Sequence, residues 1–256
     1  MSNPREELIQ LLRSLNLSAT AATLQDLALR ATKEGLTHEA FLLEVARAED
    51  AAKTERRVAR LIKQSELPRG KTFRSLEVNR FDALTQMRLT ELSTGAFLTE
   101  AINVIAIGKP GAGKSHLACA VGYALIDKGY PVLFQSTSGL VQQLLAAKRD
   151  LRLPKFIAKL DRFECLILDD IGYLQHDRDE MEVLFTLLAE RYERKSVIIT
   201  TNLVFSEWER IFKDPMTTAA AIDRVVHHSV VLDLTAMDSY RAHEAKARPK
   251  KQPVEV

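Results

Sequence analysis

The chain has 256 residues, 46% hydrophobic and 27% charged, enough to bury a sizeable core and to form one medium domain with a small companion. No uninterrupted apolar run approaches the roughly 20 residues needed to span a bilayer, and the opening MSNPREELIQ lacks the apolar core of a signal peptide, so a cytoplasmic protein is expected. The net charge of +2 hides an asymmetry: residues 1–80 carry 14 Lys/Arg against 11 Asp/Glu, residues 81–240 carry 17 against 21, and residues 241–256 carry 5 against 2, which makes a polyanion the natural partner of the ends.

Before Pro68, apolar residues recur at helical spacing in three stretches: Leu8, Ile9, Leu12 and Leu15; Leu24, Leu27 and Leu29; and Phe41, Leu42 and Val45 running on to Val58, Leu61 and Ile62. This predicts a small all-helical domain over residues 1–67, with Ser18 and Thr37 as N-caps, Gly35 as a stop and Pro68 to Gly70 ending the last helix. On a helical wheel Lys53, Arg56, Arg57, Arg60 and Lys63 fall within an arc of about 120°, with Val58, Leu61 and Ile62 on the other side. Such a helix can pack by its apolar face and turn its cations to DNA phosphates; the plainer alternative is a solvated face.

Past an amphipathic connector over about residues 81–100, strand-like and helix-like runs alternate, the pattern of an α/β domain with a parallel sheet, here placed at 68–241. The apolar run 102–107 leads into Gly108-Lys109-Pro110-Gly111-Ala112-Gly113-Lys114-Ser115, a complete GxxxxGK[ST], and then into a helical stretch beginning with His116. In that context the glycines turn backbone N–H groups around phosphate oxygens, Lys114 reaches the outer phosphates of ATP and Ser115 ligates magnesium. His116 is counted with the nucleotide-binding stretch but expected only to pack behind it. Cys119 and Cys165 lie in apolar surroundings, far from any metal-ligand spacing, and read as small buried hydrophobes.

A second basic cluster, Lys148, Arg149, Arg152, Lys155, Lys159 and Arg162, lies between the second and third strand-like runs, with Pro154 dividing it into two helices. It offers another set of DNA backbone contacts, or else an exposed loop paired with Asp150 and Asp161. LILDD, residues 166–170, then ends an apolar strand in two adjacent carboxylates, which repel one another and resist burial unless a cation or donor meets them. The upstream phosphate loop supplies the reason: Asp169 holds the magnesium shell, and Asp170 faces the terminal phosphate, where it can orient and deprotonate the attacking water. SVIITTN, residues 196–202, is a third strand whose end places Asn202 beside that water or the γ-phosphate. Arg224 sits on a short helix before a last strand, poorly placed for its own nucleotide but able to serve a neighbouring subunit, unless a salt bridge with Asp223 occupies it. Trp208 and Phe205 read as core anchors; His227 and His228 have no metal-ligand companions. Residues 242–256 read as a basic tail.

Taken together, GKPGAGKSHLA, the double-Asp LILDDIGY, the run IITTNLVFSEWERIF and the later Asp223-Arg224 resemble the IstB-like transposition helper ATPases, relatives of the DnaC-type helicase loaders in the AAA+ class. The resemblance covers about residues 68–241 and extends loosely to the helical N-terminus. It implies a P-loop AAA+ domain with a five-stranded parallel sheet and nucleotide bound between subunits of a homo-oligomer, with Arg224 in the finger position. It also implies ATP-dependent assembly on double-stranded DNA and a transposase partner, the alternative being a replicative helicase loader. Asp170 stands where many AAA+ proteins carry a longer Glu, so slow turnover is expected. With about 23 residues after Asp233, room for a separate helical lid is not expected, and Arg241 is a weak candidate for a second nucleotide-sensing arginine.

Overall fold

The computed structural model describes residues 3–173, 178–208, 215–237 and 239. The chain forms two compact units, Met1–Arg60 and Leu61–Val256, dividing within a long helix. Among the described residues no helix is long and apolar enough to cross a membrane.

The first unit holds α1 (Pro4–Ser14), α2 (Ser18–Glu34) and most of α3 (His38–Ser65). Asn3 caps α1 through Arg5 N–H, Thr37 caps α3 through Ala40 N–H at 3.2 Å, and Gly35 closes α2 in the left-handed region at φ 64°. Ser18 departs from expectation: it is the first helical residue, and Leu17 at the cap position makes no side-chain cap. The donor is met from another helix instead, since buried Glu49 of α3 accepts Thr20 N–H at 2.8 Å and is paired with Arg56 at 3.0 Å. That arrangement depresses the Glu49 pKa, chiefly through the Thr20 N–H bond.

The second unit is built on a five-stranded, wholly parallel sheet in the order β2-β3-β4-β1-β5, with β1 Asn103–Ile107, β2 Val132–Ser136, β3 Cys165–Asp169, β4 Ser196–Thr201 and β5 Ser229–Asp233. The central β1 and β4 are buried at every position, as expected of strands covered on both faces and rich in Val and Ile. Helices α4 (Ala83–Thr94), α5 (Ala96–Thr99), α6 (Lys114–Asp127), α7 (Thr137–Arg149), α8 (Leu153–Leu160), α9 (Arg178–Arg191) and α10 (Pro215–Val226) complete it. Both cysteines are fully buried, and desolvation lifts each thiol to about 12. Trp208 is fully buried and meets Phe205 edge-on at 5.3 Å, so both act as anchors.

One buried charge organises the strand entries. Arg191, 1% exposed, donates to the carbonyls of Leu160, Phe163, Glu164 and Ser196 and pairs with Asp161 at 3.3 Å. It ties the turn before β3 to the first residue of β4. Asn103 does the same for β1, accepting Val197 N–H at 3.0 Å and donating to Val225 O at 3.2 Å. These two residues set the register that brings the strand ends to one edge.

Candidate nucleotide site

The carboxyl ends of β1, β3 and β4 open on a cavity of about 500 Å³. Its floor is Pro110 to His116, the loop that follows β1 and the first turn of α6. Gly111 (φ 84°) and Gly113 (φ 95°) hold the left-handed conformations that turn the loop, and only glycine adopts these without strain. Lys114, nearly buried, donates to Gly108 O at 2.7 Å and Lys109 O at 3.0 Å, so the ammonium is folded against the loop whose charge it would share with phosphate.

Asp170, Thr200 and Asn202 line the same cavity. Asp169 ends β3, and its carboxylate accepts the Thr200 hydroxyl at 2.6 Å while its carbonyl accepts Thr137 at 3.0 Å. Asp170 is exposed, sits at φ 64° and donates its N–H to Thr200 Oγ1 at 2.9 Å. Asp170 lines the cavity, whereas Asp169 is not among its lining residues. Asn202 follows β4; its Oδ1 is buried without a hydrogen-bond partner, and a side chain at Gly172 would come within 2.3 Å of it. A buried acceptor without a partner, on a residue that lines the cavity, is a gap that a hydrogen-bond donor would satisfy. Glycine-loop amides, an ammonium, a hydroxyl at Ser115 and the Asp170 carboxylate line the cavity, with Asp169 behind Thr200, a donor and acceptor set that fits Mg–ATP.

The remaining walls were not foreseen. Lys71, Ser75, Leu76, Glu77, Arg80 and Phe81, from the segment before α4, line the cavity. His116, expected only to pack, holds part of that segment: its Nε2 lies 3.0 Å from Ser75 Oγ and 3.2 Å from Thr72 O. Burial, the larger cause, and nearby Lys71 push its pKa down, so the neutral ring is favoured. The signal for this role lay in tertiary packing, since its partners are more than 40 residues upstream.

Other expected residues fall elsewhere. Arg224 does not line the cavity; its guanidinium lies over the Phe185 ring at 4.8 Å, in place of the salt bridge with Asp223. Lys53, Arg56, Arg57, Arg60 and Lys63 are all exposed on α3, although Arg56 is engaged with Glu49 and Ser18. In the second cluster α7 and α8 are separate helices, the break falling at residues 150–152 with Pro154 in the first turn of α8, and Arg149, Arg152, Lys155 and Lys159 are exposed. Lys148 is turned onto α9, paired with Glu182 at 2.9 Å and Asp179 at 3.3 Å, which raise its pKa. Asp161 is held by Arg191 and Arg194, so the pairing within this region differs from the one expected. Arg241 and the basic tail lie outside the described residues.

Residues 10–248 match the family model described as IstB-like ATP binding protein. The chain is 41% identical over 236 residues to an insertion-sequence ATP-binding protein of Sinorhizobium fredii, covering 92% of this chain and 79% of that one. It is 35% identical over 240 residues to the IS21 insertion-sequence ATP-binding protein of Pseudomonas aeruginosa, covering 94% and 90%. Among solved structures, the fold is shared with the DnaC helicase loader (TM-score 0.52, 21% identity, 61% of this chain and 94% of that one). It is shared too with AMPPCP-bound DnaA from Aquifex aeolicus (TM-score 0.56, 15% identity, 74% and 59%). Sheet order, phosphate loop and these matches agree that this chain belongs to the IstB-like ATP-binding family, on the AAA+ fold.

Proposed function

We propose that the protein is an ATPase that assembles on duplex DNA in its ATP-bound state and recruits or stimulates a transposase. The observation that carries the ATPase part is the convergence of Lys114, Ser115, Asp170 and Asn202 on one cavity. The transposition setting is supported by relatives named for insertion sequences.

Lys114 and the loop amides would bind the phosphates, and Ser115 with Asp169 would hold magnesium, which when bound neutralises phosphate charge. Asp170 orients a water and takes its proton; Asn202 accepts a hydrogen bond from that water and fixes its approach. Residues of the segment Lys71–Phe81, with Met237, line the rest of the cavity and would face the nucleoside. Arg224, absent from the cavity of its own chain, would serve the site of a second copy. The exposed cations of α3 and of the α7–α8 region would take the DNA backbone, with residues 1–67 acting as a DNA-binding domain. The direct test is ATP turnover by the wild type and by Asp170→Asn: the variant should bind nucleotide, lose hydrolysis and stay on duplex DNA. Unchanged turnover would remove Asp170 from the role of base.

A further inference from the structure

The two acids at the end of β3 are held by one hydroxyl. Thr200, fully buried in β4 and paired in register with Ala106, donates its hydroxyl hydrogen bond to Asp169 Oδ1 at 2.6 Å and accepts the Asp170 N–H at 2.9 Å. Its neighbours Val197, Ile198 and Ile199 are apolar and equally buried, so packing alone would be met by a valine. A buried hydroxyl is costly unless bonded, and here both its donor and an acceptor lone pair are used. Asp170 meanwhile adopts φ 64°, a left-handed conformation uncommon for a residue bearing Cβ though more accessible to Asp than to most, and the Thr200 bond to its N–H helps to hold it.

We propose that Thr200 is the positioning residue of the acid pair: one hydroxyl orients the Asp169 carboxylate and pins the Asp170 backbone in the turn that sends the second carboxylate into the cavity. Thr200 lines the cavity, but its hydroxyl is committed to the two acids, and the role assigned to it is exercised through them. The inference rests on the ATPase reading above and deepens it. Nothing in a sequence motif marks Thr200, because its partners are Asp169 and Asp170, about 30 residues upstream.

The test compares Thr200→Val, which keeps shape and loses the hydroxyl, with Thr200→Ser, which keeps the hydroxyl and loses the methyl. Folding is checked by thermal unfolding. The magnesium concentration needed for binding a fluorescent ATP analogue should rise about tenfold or more in Thr200→Val, as for other groups that orient a metal ligand. Its kcat should fall at least about tenfold with KM within about twofold of wild type, the pattern of a misplaced acid pair rather than a lost binding contact. Thr200→Ser should stay within about threefold of wild type in both readouts. If Thr200→Val fails to fold, Thr200→Cys, with similar volume and a weak donor, makes the same comparison. Wild-type kcat and magnesium dependence in the hydroxyl-free variant would overturn the inference, as would equal losses in Thr200→Val and Thr200→Ser. Should the wild type itself hydrolyse no ATP, the ATPase reading fails, and the magnesium titration alone judges Thr200: an unchanged requirement in Thr200→Val overturns it.

Discussion

At the scale of single residues, the site is a set of polar groups each with a defined partner or a defined gap. Lys114 is the cation of the phosphate loop, and its charged hydrogen bonds are worth about 1.5–3 kcal/mol, so Lys114→Ala should weaken nucleotide binding about 10- to 100-fold in a fluorescence titration while the melting temperature stays near wild type. The two cysteines make a chemical prediction of the opposite kind. With each thiol lifted to about 12, neither should react with a thiol reagent at pH 8 until the protein is unfolded. The sign of the linked stability follows: a raised folded pKa means that the contribution is complete below the unfolded value and is lost as pH rises from about 9 toward about 12. Reaction of either thiol in the native state would contradict the packing around it. The phosphate loop and the paired acids were readable in the sequence because their chemistry depends on neighbours in the chain. His116, Ser75 and Thr200 were not readable, because each acquires its role only when residues about 30 or more positions apart are brought within 3 Å.

At the scale of elements, the strands were legible and the pieces that align them were not. Runs such as NVIAI and SVIITT announce buried parallel strands by composition, and Pro154 announces the break between α7 and α8. The entry of β3 relative to β4 is set instead by Arg191, a charge that burial rules alone would place on the surface. Removing it takes a donor from four carbonyls and leaves Asp161 with Arg194 alone, so Arg191→Ala should cost about 3–5 kcal/mol of stability in a urea titration. A loss below 1 kcal/mol would show that the register is secured elsewhere. The misplaced N-cap of α2 teaches the same lesson. Ser18 obeys the local capping rule, yet Glu49 from α3 meets the donor at Thr20. Because the folded Glu49 pKa is depressed, its contribution to the helical unit is present above the ordinary carboxylate range and lost as pH falls through the folded value. Glu49→Gln should therefore flatten the acid limb of the unfolding curve, and an unchanged acid limb would assign the acid sensitivity to other groups.

At the scale of the whole molecule, the parallel sheet gathers its functional ends at one edge, while Arg224 lies over Phe185, outside the cavity. If that arginine completes the site of a second copy, Lys114→Ala and Arg224→Ala proteins, each inactive alone, should recover part of the ATPase activity when mixed; no recovery at any ratio would leave Arg224 without a role in trans. The basic ends and the acidic middle of the chain, with exposed cations on α3 and around α8, are the electrostatic basis for the DNA part of the account. The measurement that tests it most directly is binding of the purified protein to double-stranded DNA with ATP, with ADP and without nucleotide, at fixed salt and with particle size followed in parallel. Large assemblies should form on duplex with ATP and be absent with ADP. Indifference to duplex DNA, or a strong preference for single strands, would contradict it and favour a role in helicase loading.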